Sequence, residues 1–321
     1  MYESRWFEDV MGIPESQWDF THIPQGVRDD MGCFETHTVK HLEDNALCML
    51  RPPITRPLIV TVRTAMIREE EFDTSALQVN GPERAMYQVA SNFNCLEVGS
   101  ERTNPFSGYF LTQLMSDSTQ GPSAAAGAGA GAILRLVTHH KNPINMLDQI
   151  PECKPCNGKL HLSTLALCEE SCVLPNYKLI KVGLHTNVRA TYDRQRGRFT
   201  HHPEGPRIDQ VYVSTCICGG STRTPDGNGK EIQEAFLRAA YYGTYAAAVM
   251  RKSTKLVLTA IGGGCFRNDP SIIMRVMAEA HTLYSPYLPP STEVHFPIYV
   301  NHGPLVEQLA EHTTVTIRHV K

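Results

Sequence analysis

From residue 178 onward the sequence predicts an α/β fold whose sheet is parallel in its middle. Three observations carry this. Strand-like and helix-like stretches follow in the order strand, strand, helix, strand, helix, strand. The strand-like stretches are rich in β-branched residues, and the helix-like ones are long and amphipathic. One strand-like run, KLVLTAI, closes on Gly262, Gly263 and Gly264 just before a helix pattern. In open α/β sheets that is where ligands bind.

The elements follow in order. Residues 1–50 mix aromatics with acids, and Trp6, Phe7, Val10 and Met11 have helical spacing. Arg51-Pro52-Pro53 punctuates the chain, and LIVTVRT at 58–64 alternates as a strand does. EEEFDTSALQV is ambiguous. RAMYQVASNFNCLE at 84–97 reads as a strand ending in a polar tip, Ser91-Asn92-Phe93-Asn94, with a loop behind it. GPSAAAGAGAGAILRLV at 121–137 has two readings. It is a mobile Gly/Ala linker, or a helix begun by Pro122 whose small residues let it pack closely on a sheet. The helix is preferred. Residues 138–177, rich in Pro, Cys and His, read as an insertion.

KLIKVGLHTNVRATY at 178–192 is strand-like, and the polar, basic DRQRGRFTHHPEGPR reads as a loop. IDQVYVSTCICGG at 208–220 has the apolar run of a buried strand. EIQEAFLRAAYYGTYAAAVMRK at 231–252 and PSIIMRVMAEAHTLY at 270–284 read as helices, with KLVLTAI a strand between them. EVHFPIYV at 293–300 is the last clear strand, and LVEQLAEH a short helix. The expected organisation is an N-terminal extension, 1–57, packed on one domain, 58–321, that carries the insertion.

Composition narrows the function classes. The chain has 321 residues, 41% hydrophobic and 20% charged, with a net charge of −3. That is a globular composition without the basic footprint of a nucleic-acid binder. No apolar run approaches the ~20 residues of a membrane helix. The first twenty residues lack the apolar core of a secretory signal, so the expectation is a cytoplasmic protein with neither a nucleic-acid nor a membrane partner.

Ten cysteines are present, and six of them pair in sequence at 153/156, 168/172 and 216/218. Reduced thiols are expected in that compartment. Cys153-x2-Cys156 with Cys168-x3-Cys172 approaches a zinc spacing, but Cys168 and Cys172 also lie one helical turn apart, as core residues would. His201-His202 point opposite ways on a strand and make a poor chelator. Cys265 lies beside a helix start but in no nucleophile motif.

Two glycine-rich stretches at strand ends are informative together. One is Gly262–Gly264. The other is the 90–97 tip followed by Gly121-Pro122-Ser123. Backbone N–H groups at both would cradle phosphates, and two cradles suit a diphosphate. No GxxxxGK[ST] motif is present, and GAGAGA does not complete a dinucleotide fingerprint. A tight strand-to-helix turn alone is the competing reading of the triplet.

These segments resemble a macrodomain. QVYVSTCICGG, the helix after it, KLVLTAIGGGCFRND and the next helix resemble its C-terminal half, while QVASNFNCLE and GPSAAAGAGAGAILR resemble its Asn-rich tip and the following Gly-rich loop and helix. The likeness covers about 84–137 and 208–300. It implies a three-layer α/β/α domain with a mixed, centrally parallel sheet. It implies ADP-ribose as ligand, with Gly262, Gly263, Gly264, Cys265, Phe266, Arg267 and Asn268 around the diphosphate. Phe266, Asn92 and Asn94 would flank the distal ribose. Gly121, Pro122, Ser123 and Ala124 would add backbone donors. The usual Gly-Gly-Gly-Val-Asp before the first helix is replaced by Thr119-Gln120-Gly121-Pro122-Ser123.

The opening WFEDVMGIPE and the 178–209 stretch look similar to a divergent branch of larger macrodomain hydrolases that free arginine side chains from ADP-ribose. That narrower resemblance implies an ADP-ribosylated protein as partner, ubiquitin among the candidates, with no cofactor and no metal. Cleaving a bond between an anomeric carbon and a guanidinium passes through an oxocarbenium-like state that carboxylates stabilise. Asp193, Glu204 and Asp209 are the candidate acids. Asp193 and Asp209, with Asn94, are the expected catalytic residues. Asp269, before Pro270, reads instead as a helix cap. Three functions compete: a hydrolase, a reader that binds ADP-ribose without cleaving it, and an α/β enzyme for another nucleotide.

Overall fold

The strand-like segments assemble into one eight-stranded sheet with helices on both faces. The computed structural model describes residues 6–48, 56–63, 74–110, 127–166, 176–195, 198–219, 229–299 and 303–320. The strands are β1 (Cys33–Thr38), β2 (Leu58–Arg63), β3 (Met86–Ala90), β4 (Lys181–Arg189), β5 (Tyr192–Gln195), β6 (Arg198–His201), β7 (Arg207–Val213), β8 (Lys255–Val257), β9 (Glu293–Tyr299) and β10 (Val315–Val320). The helices are α1 (Trp6–Met11), α2 (Gln25–Asp30), α3 (Val39–Leu47), α4 (Thr74–Val79), α5 (Gly129–Lys141), α6 (Leu162–Ala166), α7 (Gly229–Arg251), α8 (Pro270–Tyr284) and α9 (Gly303–Ala310).

The sheet order is β1-β4-β7-β3-β8-β9-β2-β10. From β7 to β10 along that order, neighbours run parallel. β4 joins antiparallel to β7, and β1 antiparallel to β4. The sheet is therefore mixed and centrally parallel, as expected. Alternation along β4 shows the layers. Val182 and Leu184 join the apolar cluster built from α3, α7 and α8, while His185 faces α5, where Arg135 reaches its Nδ1 at 3.1 Å.

The N-terminal residues supply structure of their own. β1 is an edge strand of the main sheet, and Trp6, Phe7 and Trp18 form a second cluster over Ile133 and Leu136 of α5. The Trp6 ring lies 5.4 Å from Phe110 and 5.8 Å from Tyr192, centre to centre.

The Gly/Ala run enters α5, so over the described residues the helix reading holds. The small residues have a packing cause. A Cβ on Gly131 would lie 2.6 Å from His185 Cε1 and 2.8 Å from Val188 Cγ2. One on Gly129 would lie 2.0 Å from the Trp6 ring. Several elements differ from the sequence reading. The polar loop after β4 contains the β5–β6 hairpin, and β10 follows the last clear strand. Charged residues hide the alternation of both, and β10 exists through its pairing with the distant β2. None of the described helices is long and apolar enough to cross a membrane.

Arg135 is fully buried. Its guanidinium sits 3.8 Å above the Tyr212 ring, and its Nε donates to Cys95 O at 3.3 Å. Burial, and then the charge of Arg135, push the His185 imidazole down to about 3. A neutral His185 in the folded chain sets the sign of a pH effect. The unfolded imidazole takes up a proton near 6.5, and the folded one does not until about 3. Stability present above the higher value should fall as the pH drops between the two, by roughly 1 kcal/mol per pH unit. Denaturant titrations of the native chain and of His185→Gln check this, since the variant should show a shallower slope. Gly131→Val should lower stability by about 1–3 kcal/mol through overpacking against His185 and Val188, read as a lower Tm.

Candidate ligand-binding site

The carboxyl ends of β3, β7 and β8 lie side by side, because Ala90 pairs with Val213 and Tyr87 with Val257. Each strand there turns into a polar segment. β3 runs into the tip: Ser91 N donates to Val213 O at 2.9 Å, Asn92 N to Leu96 O at 3.0 Å and Cys95 N to Asn92 O at 2.9 Å. Asn94 Oδ1 accepts the Leu96 N–H at 3.1 Å, and Cys95 holds φ +58° to close the turn. The Asn92 side chain is wholly buried, yet among the described residues neither its Nδ2 nor its Oδ1 has a hydrogen-bond partner.

β8 runs into the glycine loop, which Asn268 organises. Its Oδ1 accepts from Thr215 Oγ1 at 3.0 Å, its Nδ2 donates to Cys216 O at 2.9 Å, and its N–H donates to Gly262 O at 2.9 Å. Gly262 has φ +74°, and a Cβ there would lie 2.5 Å from both Asn268 Nδ2 and Thr215 Cγ2. Gly262 is thus required by the turn itself. Gly264 is different: a Cβ on it would meet nothing within 4 Å among the described residues. The N–H groups of Gly264, Cys265 and Phe266 make no hydrogen bond among the described residues.

β7 continues as an extended segment stapled to both neighbours. Cys218 N and Gly219 N both donate to Phe266 O, at 2.8 and 3.1 Å. Ile217 exchanges hydrogen bonds with Leu160 O and Leu162 N, at 2.7 and 2.9 Å. Cys218, Gln233, Gly263, Arg267, Asn268 and Asp269 line an open depression of about 500 Å³. Lys159 Nζ lies 5.6 Å above the Phe266 ring, so two cations, Lys159 and Arg267, border the loop. Asp269 caps α8 as read from sequence, its Oδ1 accepting the Ser271 N–H at 2.9 Å.

Sequence reasoning missed the wall of the site. The stretch read as an insertion packs on the tip: Phe93 N donates to Gly158 O at 2.7 Å, and Met146 N to Phe93 O at 2.8 Å. Gly158, at φ +76°, faces Asn94, whose Cγ would be 2.6 Å from an added Cβ. The signal was the Asn157-Gly158 dipeptide, a turn signature.

The structure brings Asn92, Asn94, Gly262, Gly263, Gly264, Cys265, Phe266, Arg267 and Asn268 to the same end of the sheet. It does not bring Asp193 and Asp209 there. Asp209 pairs with Met86 at the amino end of β7, four residues before the carboxyl end and so roughly 13 Å from it. Its carboxylate is buried, accepting from Asn187 N at 2.8 Å and from Arg251 Nε at 2.9 Å. Asp193 sits on the β5–β6 hairpin, which joins the end of β4 to the start of β7 and so lies toward the amino end as well. Its Oδ2 is 3.5 Å from His202 Nε2. Glu204 lies in the same connection. The reason is direction: β4 runs antiparallel to β7, so the chain between them cannot return to the carboxyl end.

Gly121, Pro122, Ser123 and Ala124 lie outside the described residues, as do Cys168 and Cys172. The described start of α5 also lies toward the amino end, where Gly127 O accepts the Thr191 N–H at 2.8 Å. The helix climbs from there, and the chain after it reaches Phe93 through Met146. Cys153 is buried and Cys156 exposed. Among the described residues no three His, Cys, Asp or Glu side chains group as metal ligands.

No protein-family model matches the chain, and no curated protein is similar to it in sequence. Solved structures are similar in fold. The poly(ADP-ribose) glycohydrolase from Thermomonospora curvata superposes with a TM-score of 0.52 at 19% identity, over 91% of this chain and 89% of that one. The poly(ADP-ribose) glycohydrolase from Deinococcus radiodurans, in complex with ADP-ribose, superposes with a TM-score of 0.51 at 14% identity, over 90% of this chain and 97% of that one. The expected macrodomain-like, three-layer fold is thus shown over nine-tenths of the chain.

The placement of Asp209 has a measurable consequence. Asp209→Asn should cost about 1–2 kcal/mol, a buried pair discounted for its half-exposed arginine, and lower the Tm by several degrees. Its effect on ligand titrations at the opposite end of the sheet should be negligible.

Proposed function

We propose that the chain binds ADP-ribose at the carboxyl ends of β3, β7 and β8. We further propose that it hydrolyses the bond joining the distal ribose to a modified protein. Arginine is the linkage the sequence resemblance implies. The observation that carries this reading is Asn92. A buried amide left unpaired costs about 1–3 kcal/mol. A tip that keeps one at the same end of the sheet as the glycine loop is accounted for by a ligand whose hydroxyls complete its hydrogen bonds.

Three further features support a diphosphate ligand. The successive free N–H groups of Gly264, Cys265 and Phe266 are the donors an anion needs. Among the described residues nothing occupies the space beside Gly264, which leaves room for a ligand to approach the backbone closely. Lys159 and Arg267 supply positive charge beside the loop. The fold shared with two glycohydrolases is consistent with this chemistry, although fold alone does not assign it.

Hydrolysis needs a carboxylate near the anomeric carbon to stabilise positive charge and direct water. Glu97 is the carboxylate that follows Asn92 and Asn94 on the same tip, and its N–H is held at 3.0 Å by Tyr109 Oη. The second reading is a non-catalytic reader. One observation favours it: the acids expected to act, Asp193 and Asp209, are engaged at the other end of the sheet.

The deciding experiment is calorimetric titration with ADP-ribose, ADP and AMP, followed by a release assay on arginine-ADP-ribosylated protein. Selective ADP-ribose binding with release that Glu97→Gln abolishes is expected. Binding without release selects the reader, and equal binding of all three ligands selects another nucleotide. Asn92→Ala should weaken ADP-ribose about tenfold or more while leaving Tm unchanged or higher, because it removes an unpaired buried group.

A further inference from the structure

Two sulfur atoms at the mouth of the site take no part in the reading above. Cys216 Sγ and Cys218 Sγ lie 3.7 Å apart. Ile217 between them is extended and laddered to Leu160 and Leu162, so both cysteines project to the same face. Cα atoms two apart in an extended chain are about 6.6 Å apart, at the upper end of the ~4.4–6.8 Å that a disulfide spans. Closing the ring therefore requires the backbone around Ile217 to contract. That backbone carries the staples of the site: Cys216 O accepts from Asn268, and Cys218 N donates to Phe266 O. Cys218 lines the depression and is partly exposed, whereas Cys216 is buried beneath it.

We propose that Cys216 and Cys218 form a redox-modifiable dithiol, closed by a hydroperoxide, whose disulfide loosens the loop from Gly262 to Asn268 and so weakens the ligand. The last step rests on the function proposed above. Cys218, the accessible partner, gives up its proton and its sulfur attacks one peroxide oxygen. The O–O bond breaks, leaving a sulfenic acid and water. Cys216 then loses its proton as its sulfur attacks that of Cys218, expelling the hydroxyl as a second water. Two thiols are oxidised, and one hydrogen peroxide is reduced to two waters. Hydrogen bonding to Cys218, and then burial, hold the Cys216 thiol well above its usual range, which suits it to remain protonated until the second step.

Trypsin cleaves after Arg207 and Arg223, so both cysteines fall in one peptide that contains no other. The test treats the full chain, in a Cys265→Ser background, with limiting hydrogen peroxide and then alkylates free thiols. The expected result is a 208–223 peptide lighter by two hydrogens and closed to alkylation, at doses that leave the exposed Cys33 and Cys48 alkylated. Hydrogen exchange over 262–268 should rise, and ADP-ribose affinity should fall about tenfold, as expected for the loss of a hydrogen-bonded staple. Dithiothreitol should reverse all three effects, and Cys218→Ser should abolish them. The proposal is overturned if the pair is alkylated as readily as Cys33, or if the disulfide forms without a change in exchange. If the reduced chain does not bind ADP-ribose at all, the function proposed above fails, and mass and exchange still decide the fate of the dithiol.

Discussion

Everything at the carboxyl end of the sheet depends on the hydrogen bonds of Asn268. A single buried amide joins the end of β7, through Thr215 and Cys216, to the loop that leaves β8, through Gly262. Two parallel strands on either side of β3 are otherwise free to splay where their ladders stop. With Asn268 in place, the N–H groups of Gly264, Cys265 and Phe266 make no hydrogen bond among the described residues, and Phe266 O holds the segment after β7.

The tip after β3 is less completely satisfied. Among the described residues both amide atoms of buried Asn92 are unpartnered, and so is Ser214 Oγ at the end of the adjoining β7. Beneath the tip, Arg135 fixes the Cys95 carbonyl and stacks on Tyr212, so the turn that presents Asn92 rests on a buried cation. Such a cation is tolerated because His185 is neutral and accepts or shares a hydrogen bond with it, and because the tyrosine face is electron-rich. Polar groups arranged this way trade stability for a prepared surface.

Direction explains why the acids did not gather there. Asp209 stands where a buried strand begins, so its carboxylate meets the end of α7 and pairs with Arg251. Asp193 hangs on a hairpin at the same end. Residue type and neighbourhood in sequence made both look suitable. Only the antiparallel insertion of β4 beside β7 turned them away from the glycine loop.

By itself the sequence determined the alternation of strands and helices from 178 onward, the capping role of Asp269, the helix entered by the Gly/Ala run and the turn at Gly262. These are local properties: period, capping chemistry and the backbone freedom of glycine, all carried by neighbouring residues. Tertiary structure alone decided that β10 is a strand, that 143–161 walls the tip, that Gly262 answers to Asn268 while Gly264 meets no other described residue, and which end of the sheet each carboxylate serves. Those facts depend on strand order and direction. Pairings set both, between residues as near as Arg189 and Arg207 or as far as Leu58 and Val315, and no local pattern encodes them.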